Sequence, residues 1–467
     1  MTNAPYEPPH PRPLSELAAL IRTAREGEGN LLGLLPRDVY SADQMNIGFS
    51  RRQIHIVNDP ALVRDIMTSR ADEFPKSDLM VGALEPLVGD SLFVSHGDKW
   101  RRQRRMIDPS FSHMRVNHAF GAMQSAVDDY EAVLANRAAQ GESFSLDMAM
   151  SHLTADIITR TIFSKSLETG MARDVFQSFM QFERSAAHVE LKRLIFGKAW
   201  APVKNAPHVL EACARIRAHL GTLLDDHLRA DNEDIARSVI NAKDPKDGDH
   251  FTREELIDEL GVFFLAGHET TASVLTWVFF ILAQNPSVVA RLRSEIDTHI
   301  GDGPVTFEEV KKLSFIRNVF KETLRLYPPI TFIPRVAAQR ARIGKAWVKK
   351  GAMVMIAPWV MHRHRDYWAA PDAFDPDRFT PQREAELTPH TYIPFGQGQR
   401  ICVGAGFATM ESALILAQLV RRFDFFVDHP DKVRPVARLT TRPKDQITVR
   451  VVDRMAGTKA PTLKESA

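Results

Sequence analysis

Between Thr252 and Gln284 the chain carries a long run with no proline until Pro286, and the middle of that run is apolar on every side. Thr252 and Glu255 supply a capping box at its start. At 1.5 Å per residue the run extends about 50 Å as a helix, the width of a whole domain. A helix with no polar face has to be enclosed. Its most apolar stretch, Ala272 to Ala283, is shorter than the roughly 20 residues that cross a bilayer. A core helix is therefore expected, with the other elements packed around it and no membrane anchor.

The neighbouring sequence supports a mainly α fold. From Lys99 to Arg325 the apolar residues recur at helical spacing, with breaks at Pro109, Gly141, Gly197 to Pro207, and Asp244 to Gly248. Gln53 to Val57 is short and partly β-branched, and Asn58-Asp59-Pro60 then opens a helical stretch to Thr68. Short strands are expected again at Ala346 to Val348 and Met353 to Ile356. No repeat or flexible linker divides the chain. The reading is one large helical domain with small β-sheets over residues 31–452, a flexible lead-in over 1–30 and a polar tail over 453–467. The 44% hydrophobic share supplies a core, and a net charge of +2 gives no global pull towards nucleic acid. Cys213 and Cys402 are the only cysteines, too few for a disulfide framework and too far apart for a zinc cluster. With no basic leader followed by an apolar stretch, a cytoplasmic monomer is the expectation.

The second constraint is the loop Phe395-Gly-Gln-Gly398-Gln-Arg400-Ile-Cys402-Val-Gly404, which leads into helical Ala405 to Arg421. Cys402 is thus placed at a helix N-terminus, where the dipole and free N–H groups favour a thiolate, the form that binds metal. Gly398 permits a tight turn, Gly404 a close backbone approach to a flat ligand, and Arg400 reaches an anionic group beside the sulfur. Most lone cysteines are small buried hydrophobes, and Cys213 takes that reading. On the long helix Phe263, Ala266, Gly267 and Thr270 share one face, with a gap at the two small residues. Thr270 offers a hydroxyl there and Glu269 a carboxylate. The alternative is that Thr270 bonds back to the Ala266 carbonyl and Glu269 meets a cation on another element.

The cysteine loop resembles the cytochrome P-450 signature, matching every specified position of Phe-x-x-Gly-x-Arg-x-Cys-x-Gly. Ala266-Gly267-His268-Glu269-Thr270-Thr271 is similar to that family's oxygen-activation motif. The resemblance implies a haem-thiolate monooxygenase, with haem b (iron protoporphyrin IX) between the long helix and the cysteine loop. It makes Cys402 the iron ligand, packs Phe395 beside the sulfur and pairs Arg400 with a haem propionate. It gives Thr270 a hydrogen bond to the activated O2 and Glu269 the relay of protons from solvent.

Further matches follow from the same resemblance. Glu322 and Arg325 in a Glu-x-x-Arg pair, with Arg378 in Pro376-Asp377-Arg378-Phe379, are implied to be a buried scaffold. Trp100, Arg104 and Arg335 match residues that meet the propionates, since a dry interior must neutralise two carboxylates with guanidinium forks. Phe93, Ala266, Ile330, Phe332 and Leu439 are implied to face the iron and a small hydrophobic substrate. The wording near Glu269 and Cys402 is close to fatty-acid-hydroxylating and microsomal members, which leans the substrate towards a fatty acid, alkane or terpenoid. No flavin or nicotinamide fingerprint occurs, so a ferredoxin-type donor and its reductase are expected to supply electrons. A basic face at Lys99 to Arg105 would attract such an acidic carrier. Two other readings stay open: a peroxide-driven peroxygenase or isomerase, and a non-catalytic haem-thiolate binding or gas-sensing protein.

Overall fold

The computed structural model describes residues 5–456 apart from 20, 22–29, 48–50, 168–172, 175, 181, 183–196, 231 and 302. Helices of at least two turns are α1 (Pro60–Met67), α2 (Asp78–Val88), α3 (Gly97–Ile107), α4 (His113–Gln140), α5 (Leu146–Phe163), α6 (Pro207–Arg229), α7 (Arg253–Ala283), α8 (Pro286–His299), α9 (Ser314–Leu326) and α10 (Ala405–Arg422). The strands are short: β1 (Gln44–Ile47), β2 (Ile54–Val57), β3 (Phe144–Ser145), β4 (Ile333–Val336), β5 (Ala341–Ile343), β6 (Ala346–Val348), β7 (Met353–Ile356), β8 (Phe423–Val427), β9 (Pro435–Ala437), β10 (Thr441–Pro443) and β11 (Thr448–Asp453).

The long run folds as α7, and its start is set by the expected capping box between Thr252 and Glu255. By length and composition α7 could cross a membrane, yet 83% of its most apolar window is buried inside the protein. It packs against α2, α5, α6, α8, α9, α10 and β8. The closest approach is to α5, where a Cβ on Gly267 would lie 2.3 Å from Ile158 Cδ1. The Thr154 hydroxyl donates to the His268 carbonyl at 3.0 Å across the same crossing. Gly267 is therefore small also because α5 lies against it.

One four-stranded sheet runs in the order β1-β2-β7-β4. Strand β7 is its buried centre, parallel to β2 and antiparallel to β4, which suits its Met-Val-Met-Ile sequence with no polar face. Strands β3, β11 and β8 form a second sheet, and β9–β10 and β5–β6 are two-stranded. At the turn from β2, Asp59 caps α1 by accepting the Leu62 N–H at 2.8 Å, and Pro60 opens the helix.

The N-terminal residues depart from the expected floppy lead-in. The Tyr6 carbonyl accepts the Phe374 N–H at 2.9 Å, the Tyr327 hydroxyl donates to the Pro9 carbonyl at 2.6 Å, and Ala19 is buried. A proline-rich strand needs no partner for the donors it lacks, so it lies flat on the domain. Residues 22–29 and the tail beyond 456 lie outside the described residues. Cys213 is buried on α6, and burial pushes its thiol up to about 11, the behaviour of a small hydrophobe.

The expected scaffold residues meet in one fully buried network. Arg325 donates to both Glu322 oxygens at 2.7 and 2.8 Å and to the carbonyls of His362, Pro371 and Ala373. Arg378 and the Asp375 N–H donate to the same Glu322 carboxylate at 3.2 and 2.9 Å. Removing the one anion leaves two buried guanidinium groups unneutralised. Glu322→Gln is expected to lower stability by about 3–5 kcal/mol, read as a lower denaturant midpoint; an unchanged midpoint would show the network to be dispensable.

Candidate active site

The cysteine loop is built by its glycines. Gly396 and Gly398 adopt φ of 71° and 72°, and the chain doubles back so that the Cys402 N–H donates to the Phe395 carbonyl at 2.9 Å. A Cβ at Gly398 would strike the Met67 carbonyl oxygen at 2.2 Å, so glycine there fixes both the turn and the end of α1. Gly404 caps α10, two residues beyond Cys402. A Cβ on Gly404 would meet only the Cys402 Sγ, at 4.0 Å, so that side of the loop is open.

It opens on a cavity of about 900 Å³, bounded by α7 on one side and by the cysteine loop and the start of α10 on the other. Phe93, Trp100, Arg104, Ala266, Thr270, Ile330, Phe332, Arg335, Phe395, Arg400, Cys402 and Leu439 all border it. The exposure of Cys402 is exposure to this space, since protein encloses the thiol elsewhere. Burial pushes its thiol up, against the pull of the Gly404 N–H and the Arg104 charge. A cation at the sulfur is needed to tip the balance.

One wall of the cavity is cationic. Arg400 lies with its guanidinium 4.4 Å from the Trp100 ring centroid and donates to the Ser95 carbonyl at 2.7 Å, while its buried Nη1 has no hydrogen-bond partner. Arg335 enters from β4, and burial pushes it down to about 10. Burial and the Arg335 charge do the same to Arg400, also to about 10. Lys76, which the sequence reading missed, stands beside them. It forms a backbone bridge with Arg335, its ammonium donates to the Phe93 carbonyl and lies 4.0 Å from the Phe93 ring centroid. Burial, then Arg335 and Arg400, push Lys76 well down. No ion pair neutralises any of the three among the described residues. Like charges gathered in a dry wall repel strongly, and two carboxylates of a flat, otherwise apolar group would answer both the charge and the orphaned Nη1. The residues fit haem.

Three expected groups have partners within the protein. Arg104 has its Nε 2.6 Å from Asp108 and its Nη1 donating to the Ile401 carbonyl at 2.6 Å, so it braces the cysteine loop from the cavity wall. Glu269 does not border the cavity. Its carboxylate accepts from the Thr440 hydroxyl at 2.5 Å and from Nε and Nη2 of Arg442, Nε at 2.9 Å, so it is held towards β10. The cationic face of α3 is largely neutralised too: Lys99, Arg101, Arg102 and Arg105 pair with Asp90, Asp72, Glu255 and Asp244. Thr270 borders the cavity while its hydroxyl donates to the Ala266 carbonyl at 2.6 Å, which leaves its oxygen free to accept.

The comparisons with known proteins agree with this geometry. The family model described as Cytochrome P450 matches residues 12–450. Cyclooctatin synthase of Streptomyces melanosporofaciens is 27% identical over 410 residues, covering 87% of this chain and 86% of that one. The protein LUTEIN DEFICIENT 5, chloroplastic, of Arabidopsis thaliana is 30% identical over 396 residues, covering 81% of this chain and 66% of the relative. A cytokinin hydroxylase of Arabidopsis thaliana is 29% identical, covering 83% and 76%. In fold, the crystal structure of the cytochrome P450DA heme domain superposes with a TM-score of 0.78 at 24% identity, covering 88% of this chain and 89% of that one. With a family model spanning nearly the whole chain, and a cavity that joins a lone thiol to unneutralised cations, the chain belongs to the cytochrome P450 family of haem b-binding, haem-thiolate monooxygenases.

Proposed function

We propose that this chain hydroxylates a small or medium-sized apolar molecule in the cavity above Cys402, with a lean towards terpenoid, fatty-acid or alkane substrates. The observation that carries the reading is the make-up of that cavity. Cys402, Arg335, Arg400 and Lys76 lie on the loop side, while Phe93, Phe263, Ile330, Phe332 and Leu439 make most of the remainder apolar, with Lys204, Asn205, His208 and Arg438 as further polar lining. The names of two bacterial relatives, cyclooctatin synthase and cyclooctat-9-en-7-ol 5-monooxygenase, support an apolar ring or alkenol substrate.

In this reading Cys402 holds the iron, and Arg335, Arg400 and Lys76 hold the two carboxylates of the haem, with Trp100 stacked behind Arg400. Haem ligated by a thiolate supplies the activation of O2, because the sulfur pushes electron density towards the iron. The protein's own part is to exclude water with the apolar walls, to seat the substrate against Ala266, and to present the Thr270 oxygen at the cavity wall. Electrons come from a ferredoxin-type donor and its reductase. The neutralised face of α3 shifts recognition of that donor from bulk charge to shape. Two free cysteines suit a reducing cytoplasm, and a monomer completes the reading. The peroxide-driven alternative gains one specific point, the turning away of Glu269, and turnover with peroxide but none with a reductase system would favour it.

The haem-thiolate assignment is checked by reducing the purified protein under carbon monoxide. The red-shifted thiolate band should appear and be lost in Cys402→Ser; a well-folded wild type without it would remove Cys402 as ligand. Lys76→Ala should lower haem affinity about 10- to 100-fold, the effect of losing a charge-assisted contact of about 1.5–3 kcal/mol, measured by haem transfer to an apo-globin acceptor. Unchanged transfer would exclude Lys76 from the propionate site. Thr270→Ala should keep haem and the substrate-induced spin shift while sending reducing equivalents to hydrogen peroxide; fully coupled product formation would take Thr270 out of the reaction.

A further inference from the structure

Among the described residues that border the cavity none is acidic, although the chain carries 60 Lys and Arg against 58 Asp and Glu. Cys402 aside, every ionisable side chain there is basic. The haem carboxylates answer Lys76, Arg335 and Arg400, and Arg104 braces the cysteine loop, which leaves Lys204, His208 and Arg438 without a task. These three are exposed to solvent while bordering the cavity, so they stand where it opens. None of them forms an ion pair among the described residues. Arg438 has only a long contact, from Nη2 to the Lys444 carbonyl at 3.4 Å. Arg217, further along α6, is by contrast paired with Asp258 at 2.7 Å and with Glu254.

The backbone beneath these side chains is fixed. Val203 packs so closely on α2 that a Cβ at Gly82 would lie 2.5 Å from its Cγ2, and the Asn205 amide donates to the Gly82 carbonyl at 3.0 Å. Helix α2 therefore holds the chain on both sides of Lys204. The Arg438 N–H donates to the Thr440 carbonyl at 3.0 Å, and the Thr441 carbonyl next along is pinned to α7 by Ser273 and Trp277. At both edges a basic residue at the opening is followed by a more buried apolar one on the cavity wall, Val209 after His208 and Leu439 after Arg438. Charges of one sign around a cleft with apolar walls focus their field into it. A neutral substrate gains nothing from that field, whereas an anion is drawn in by it.

We infer that the substrate is an amphipathic oxyanion, a carboxylate or phosphate head on a hydrocarbon body, whose head is attracted and retained at the opening by Lys204 and Arg438 while the body extends towards Cys402. The inference narrows the apolar substrate proposed above and rests on the haem-thiolate reading. Lys204 and Arg438 determine specificity and take no part in the chemistry. Retaining the head limits how deep the body can reach, so the position oxidised is counted from the head. An alkane or a terpene hydrocarbon has no such anchor.

The test titrates the haem-loaded enzyme with dodecanoic acid, its methyl ester, dodecanol and dodecyl phosphate, following the low- to high-spin shift of the haem. The acid or the phosphate should bind about 10-fold more tightly than the ester and the alcohol, and the tighter of the two names the head. Added salt should weaken the anions and leave dodecanol unchanged. Lys204→Ala and Arg438→Ala should each remove part of the preference, and Lys204→Glu combined with Arg438→Glu should reverse it. Both side chains are exposed, so these variants should fold, keep the reduced carbon monoxide band and bind dodecanol as the wild type does. Equal affinity across the series, no shift with any member, or a preference for anions that survives the double charge reversal would overturn the inference. In those cases the thiolate band of the wild type remains. Its absence would instead overturn the underlying reading, and the inference with it.

Discussion

A helix without a polar face exists in water only where other elements enclose it, and α7 imposes that demand along the middle of its 31 residues. The remainder of the fold answers it. Helices α5 and α6 take one side, α9 and α10 another, and β10 is pinned to the same helix where Ser273 Oγ and Trp277 Nε1 both donate to the Thr441 carbonyl at 2.8 Å. Packing so close needs gaps in the side chains, and Gly267 provides one for Ile158. The cavity is the place where enclosure stops: opposite Ala266 and Thr270 the facing surface is a cysteine loop, not another helix.

That loop has to be held without a regular element to hold it, and buried polar groups do the work that helix packing does elsewhere. The Glu322 carboxylate gathers Arg325, Arg378 and the Asp375 N–H, and Arg325 in turn ties the carbonyls of His362, Pro371 and Ala373. His362 then accepts the Ile393 N–H at 2.9 Å, two residues before Phe395. Burial and the flanking arginines push His362 down to about 3, so its ring stays neutral and able to accept. A chain of satisfied contacts thus runs from α9 to the residue whose carbonyl receives the Cys402 N–H. Each link costs desolvation, and each is stable because every buried charge in it is matched.

What the sequence made legible divides along the same line. The bounds of α7, the turn at Asp59-Pro60, strands β6 and β7 and the glycine turn before Cys402 all depend on residues within a few positions of each other, and local chemistry decides them. The Glu322–Arg325 pair was visible for the same reason, one helical turn apart. Lys76 was not, because its meaning comes from a backbone bridge to Arg335 far along the chain. Arg442 was missed likewise: it stands on β10, and only the tertiary fold brings it to Glu269. The basic residues of α3 read as one cationic face because their acidic partners come mostly from other segments.

The charges around the cavity show why such long-range pairs matter most. Three cations gather on one wall with no ion pair among the described residues, while two acids, Glu269 and Glu411, lie just outside it in opposite states of satisfaction. Glu269 has a guanidinium and a hydroxyl. Glu411 has a single loose hydroxyl contact. Exchanging their surroundings would exchange their chemistry, since a carboxyl group is an anion or a proton store according to what faces it. The residue type read from the sequence sets the options, and the partner supplied by the fold selects among them.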